Sequence, residues 1–120
     1  QYAFSYPERW SAPVPSLDLA RAGRLEFHEP DVGVFPCLGL AYRALRAPGS
    51  LAVVLNAANE IAVAKFLEGA LSFVGIARVI EQTMDAHAPA EVGTLAQVRA
   101  VDAWARDYAR ETARGLQLKV

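Results

Sequence analysis

Residues 51–67 read LAVVLNAANEIAVAKFL, and the fold is decided by how this run is buried. Almost every position is apolar, yet Asn56, Asn59 and Glu60 interrupt the first half. At about 100° per residue the three fall on one side of a helix, with Asn56 and Glu60 at i and i+4. The remaining circumference is Ala, Val, Leu, Ile and Phe. A helix apolar nearly all round belongs in a core. This one is therefore expected to carry two amides and a carboxylate into or against protein, where each needs a partner.

Working outward, helical patterning extends on both sides. Upstream, Pro36 suits a first helical turn, where its missing N–H costs nothing. Leu38, Ala41, Tyr42 and Leu45 share a face, and Pro48-Gly49 ends the segment. Ser50 reads as the N-cap of the central helix, and Gly69 lies beyond its end. Downstream, Ser72 reads as a cap for a third helix with Phe73, Ile76, Ile80, Thr83 or Met84, and His87 on one face. Thr94 and Gln97 form a capping-box pattern for a fourth. Its apolar face is Leu95, Val98, Val101, Ala105, Tyr108 and Thr112, and Asp102–Arg106 on the other face is an i,i+4 pair worth roughly 0.2–0.5 kcal/mol.

Residues 1–33 differ in kind. Pro7, Pro13, Pro15, Pro30, Gly23 and Gly33 punctuate them, leaving room for a turn of helix near residues 17–20 and a short strand at 25–27. The fold expected is mainly α: a Pro-rich linker or strap over 1–33 with a short strand, then a compact four-helix, bundle-like domain over 34–120. Connections of two to six residues are expected between largely antiparallel helices.

Composition narrows function. The 120 residues suffice for one domain, and a net charge of −1 with interspersed signs gives no nucleic-acid footprint. No signal-peptide pattern is legible in these residues, and the 51–67 run is expected to be too short and polar for a membrane span. The single cysteine, Cys37, excludes an internal disulfide, fits a reducing compartment and reads as a small buried hydrophobe. The start, QYAFSYPERW, lacks Met and reads either as a cut inside a longer polypeptide or as a trimmed small protein. A hydrophobic fraction of 53% points to apolar surface shared with protein outside this chain, and Tyr2, Phe4, Tyr6 and Trp10 read as an anchor for it.

Candidate chemistry is sparse. Asn56, Asn59 and Glu60 are either a buried network tying the helix to its neighbours or contacts to a substrate or metal. No second acidic cluster or histidine near them completes a metal site. His28 is isolated between Phe27 and Glu29. His87 sits near a helix C-terminus, where the macrodipole favours its charged form. No phosphate-cradling glycine loop is present.

The run LNAANEIAVAKFLEG resembles a signature of the 1-deoxy-D-xylulose 5-phosphate reductoisomerase family. YPERW with APVPSLDL, GRLEFHEPDVGVFPCLGLAYRAL and VDAWAR follow the same family order, so the resemblance covers essentially the whole chain. It is confined to the linker and C-terminal helical domain of a much longer enzyme. That resemblance implies upstream catalytic and NADPH-binding domains of the same polypeptide as partners, Mg²⁺ or Mn²⁺ and NADPH held by those domains, and a homodimer. It implies conversion of 1-deoxy-D-xylulose 5-phosphate to 2-C-methyl-D-erythritol 4-phosphate in non-mevalonate isoprenoid biosynthesis, in the bacterial cytoplasm or a plastid. No catalytic, cofactor-binding or metal-ligating residue carries over onto this chain. Asn56, Asn59 and Glu60 match the motif and are expected to orient the adjoining domain. The alternatives are a free-standing helical protein-binding module of the same descent and a small independent enzyme.

Overall fold

In a computed structural model the described residues are 1–116. Among them are six helices: α1 (Tyr2–Ser5), α2 (Leu19–Ala22), α3 (Pro36–Arg46), α4 (Ser50–Leu67), α5 (Phe73–Asp85) and α6 (Leu95–Gly115). The last four residues of the expected 34–120 domain lie outside the described range.

Local sequence sets most boundaries. Pro36 stands in the first turn of α3. The α4 chain leaves through Gly69 at φ +73°, whose N–H and that of Ala70 satisfy the carbonyls of Phe66 and Lys65. Ser72 caps α5 by accepting from the Gly75 N–H. At α6 the Thr94–Gln97 capping box is complete in both directions.

α4 is central: it packs most extensively on α6 and α5, and also on α3. Val54, Ala57, Ala58 and Ala62 are wholly buried there. They meet Leu40 and Ala44 of α3, Val79, Ile80 and Met84 of α5, and Ala105, Ala109 and Ala113 of α6. With Ser50 the apolar run reaches 18 residues at mean hydropathy 1.4, the lower limit for a membrane span by length and composition. Its packing against three helices makes it the core helix of the bundle instead.

The core of α6 is narrower than the spacing suggested. Ala105, Ala109 and Ala113 are buried, whereas Leu95 is 63% and Tyr108 36% exposed. The alanines let α6 approach α4 closely, which turns the larger side chains outward. Phe73 of α5 is likewise exposed.

The α3–α4 and α4–α5 connections, 47–49 and 68–72, are short as expected, but the α5–α6 connection runs over 86–94. That length lets the loop reach back across the start of α4. Ser50 N–H donates to the Ala90 carbonyl at 3.0 Å, and Ala90 N–H donates to Ser50 Oγ at 2.7 Å. Ser50 is therefore not an N-cap. It is the first residue of α4, and its side chain is spent on the loop.

Residues 1–35 contain only the four-residue helices α1 and α2, and neither packs on another helix. The expected strand at 25–27 forms no ladder: among the described residues the segment makes no backbone hydrogen bond. The radius of gyration is 18.8 Å, against about 13–14 Å for a compact chain of this length. The difference reflects a strap running away from the bundle.

Candidate functional site

The polar stripe of α4 is divided by the packing. Asn56 Nδ2 donates to Glu60 Oε1 at 3.1 Å. Glu60 Oε2 accepts from the Arg106 guanidinium at 2.6 Å, and Arg106 Nε donates to Asp102 Oδ2 at 2.7 Å. One arginine thus binds a carboxylate of α4 and one of its own helix. The expected burial does not occur: Asn56, Asn59 and Glu60 are all exposed. The reason is geometric, since α3, α5 and α6 cover the alanine and valine sides of α4 and leave this strip at the rim.

Electrostatics follow from the pairing. Hydrogen bonds from Arg106 and then Asn56 hold the Glu60 carboxyl below the ordinary carboxylate range. Asp102 and Glu60 raise the Arg106 guanidinium further still, so its charge is fixed. A carboxylate so neutralised is a poor proton donor and is already occupied as an acceptor. The group acts as a clamp between α4 and α6. The Asp102–Arg106 spacing was legible, but Arg106 as the partner of Glu60 was not, because residues 46 apart meet only through helix packing.

Asn59 faces a different neighbourhood. It lines a concavity of about 570 Å³ with Phe35, Cys37, Val63, Phe73 and Arg78, at the junction of the strap with α3, α4 and α5. Cys37 is exposed there rather than buried, because α3 offers only Leu40 and Ala44 to the core.

Ser50 and His87 form a second contact that sequence reading missed. Ser50 Oγ lies 2.9 Å from His87 Nε2, and the imidazole ring packs on Trp104 at 5.1 Å between centroids. Burial pushes the His87 imidazole below its ordinary range. This reverses the expectation from its helix terminus, because desolvation of the charged form outweighs the macrodipole. The geometry resembles a nucleophile and its base. However, Ser50 is completely buried and its oxygen already accepts from Ala90, so no substrate reaches it. The pair fastens the 86–94 loop.

The strap presents side chains outward. Tyr2 and Tyr6 meet edge to face at 5.8 Å, with the Arg9 guanidinium 4.3 Å over Tyr2, and Phe4 is 91% exposed. Trp10 donates its indole N–H to Glu8, and His28 lies in the strap beside Glu26. Leu38, Tyr42 and Leu45 form an apolar row on the uncovered side of α3. Among the described residues no three His, Cys, Asp or Glu side chains gather in a group that could hold a metal ion. No chemical step is placed on these described residues.

Comparison with known proteins gives these surfaces a context. The family model for the DXP reductoisomerase C-terminal domain matches residues 1–108. A 1-deoxy-D-xylulose 5-phosphate reductoisomerase of Trichlorobacter lovleyi is 50% identical over 116 residues, which are 97% of this chain and 30% of that protein. The Cupriavidus necator enzyme of the same name is 48% identical over 98% of this chain and 30% of its own length. The solved structure of the Zymomonas mobilis reductoisomerase, in complex with NADPH, superposes with a TM-score of 0.84 at 37% identity, covering 96% of this chain and 30% of that one. The chain thus spans about 30% of the length of the relatives it matches. With the family model and relatives of this identity covering nearly every residue, the chain belongs to the DXP reductoisomerase C-terminal domain family.

Proposed function

We propose that this chain is the structural C-terminal part of a 1-deoxy-D-xylulose 5-phosphate reductoisomerase. The intact enzyme uses NADPH and a divalent metal, Mg²⁺ or Mn²⁺, to form 2-C-methyl-D-erythritol 4-phosphate for isoprenoid biosynthesis. The observation that carries this reading is the match of almost the entire chain to less than a third of enzymes bearing that name. Metal and nicotinamide nucleotide would be held by the rest of the polypeptide, where the metal would supply Lewis-acid chemistry at the substrate carbonyl. Residues 1–33 act as a strap along the catalytic part, and 34–120 form the helical domain that supports it. Asn56 and Asn59, exposed at the rim of α4, keep hydrogen-bonding capacity for that neighbour, while the Glu60–Arg106 clamp fixes the rim. The intact enzyme works as a homodimer, and its bacterial relatives favour the cytoplasm over a plastid.

Full-length polypeptide is expected to oxidise NADPH when given 1-deoxy-D-xylulose 5-phosphate and Mg²⁺, and the 120-residue chain is expected to be inert. In the full-length enzyme, Asn56→Ala together with Glu60→Ala should lower stability or kcat while barely changing metal affinity. An inactive full-length protein ends the family-function reading. Unchanged stability and rate in the double variant ends the supporting role of the stripe.

A further inference from the structure

Residues 24–29, RLEFHE, lie between Gly23 at φ +74° and Pro30. They belong to no helix, and their side chains sort by parity. Arg24 and His28 both reach Glu26 on one side: Arg24 is hydrogen-bonded to its carboxylate, and His28 Nε2 stands 3.8 Å away. Contacts between residues two apart are those of a β-strand, in which i and i+2 share a face. The opposite face carries Leu25, 60% exposed, and Phe27, 88% exposed. Beyond the Arg24 N–H, which donates to Ala22, the segment makes no backbone hydrogen bond among the described residues. This is the side-chain pattern of a strand whose backbone groups are unpaired among the described residues and whose apolar face is uncovered.

We propose that residues 24–29 add as a strand to the edge of a β-sheet in the part of the longer polypeptide outside this chain. Leu25 and Phe27 turn onto that protein, and the Arg24–Glu26–His28 row faces solvent. The inference rests on the reading that the chain belongs to a longer reductoisomerase. Two observations favour this occupant. A TM-score of 0.84 over 96% of the chain cannot be reached by the helical bundle alone. The strap therefore follows a similar path in the Zymomonas mobilis enzyme, where the further chain is present. Within this chain α1 and α2 pack on no other helix. A lone strand gains little order by itself, whereas pairing at a sheet edge satisfies its N–H and C=O groups. A second copy is a poorer occupant: antiparallel pairing about the centre of the charged row sets Glu26 opposite Glu26.

The test is hydrogen–deuterium exchange on active full-length protein, with peptides spanning residues 24–30 and α4 as the internal standard. The expected result is that some amides in 25–29 exchange at least about a hundredfold more slowly than an unstructured peptide. Phe27→Ser and Glu26→Pro should abolish that protection while α4 stays protected, and Glu26→Gln should retain it. Fast exchange at 25–29 in active enzyme overturns the proposal and leaves the functional reading standing. Protection that appears only as the protein self-associates also overturns it, in favour of a second copy. Loss of activity in the wild-type protein would instead indict the functional reading.

Discussion

Replacing Ser50 by Ala tests whether the start of α4 is held by its side chain. Ser50 is completely buried, and its oxygen has two partners, the Ala90 N–H at 2.7 Å and His87 Nε2 at 2.9 Å. Each bond contributes about 0.5–1.5 kcal/mol net, and an abandoned partner that water reaches poorly adds to the loss. The expected cost is therefore about 1.5–3 kcal/mol, a fall on the order of 10 °C in Tm. The same change alters pH dependence. Burial lowers the His87 pKa below its ordinary 6.5, so above that pH both folded and unfolded forms are neutral and stability is full. As pH falls below it, the unfolded chain takes up the proton first and stability declines. Ser50→Ala releases the loop that helps bury the ring, so weaker desolvation should make that decline shallower. Urea unfolding of the 120-residue chain at pH 7.5 and about 5.5, for wild type and variant, reads both effects. A loss below about 0.5 kcal/mol at pH 7.5, with an unaltered pH slope, would refute the reasoning.

Two further substitutions probe the bundle. Ala109→Leu places extra side-chain atoms at a wholly buried position in the alanine seam of α6. Helix propensity barely changes, so the expected loss of about 1–3 kcal/mol in urea unfolding isolates overpacking. Thr94→Ala opens the capping box and should cost about 1 kcal/mol by the same assay, with faster amide exchange confined to the first turn of α6.

Which parts of this architecture the sequence disclosed follows from the range of the forces involved. The breaks at Pro48-Gly49, Gly69, Ser72 and Thr94 were legible because caps and turns act over three or four residues. The core position of α4 was legible because a helix apolar on every side has nowhere else to go. Ser50 was misread because an N-cap and a buried tether place the same residue at the same point of a helix. Only the 86–94 loop, arriving from 40 residues away, distinguishes them. His87 was misread for a related reason: the helix dipole is local, but the burial that overrides it comes from the packing around the ring.

The sequence by itself determined that this is a helical domain behind a Pro-rich strap, that α4 is its centre, and that LNAANE marks its family. Side-chain periodicity and short-range capping contain that information. Tertiary structure alone decided that the polar stripe lies at a rim rather than in a core, that Arg106 neutralises Glu60, and that α6 seats on α4 through alanines. Each of those depends on which side of a helix its neighbours cover, and no local pattern specifies that.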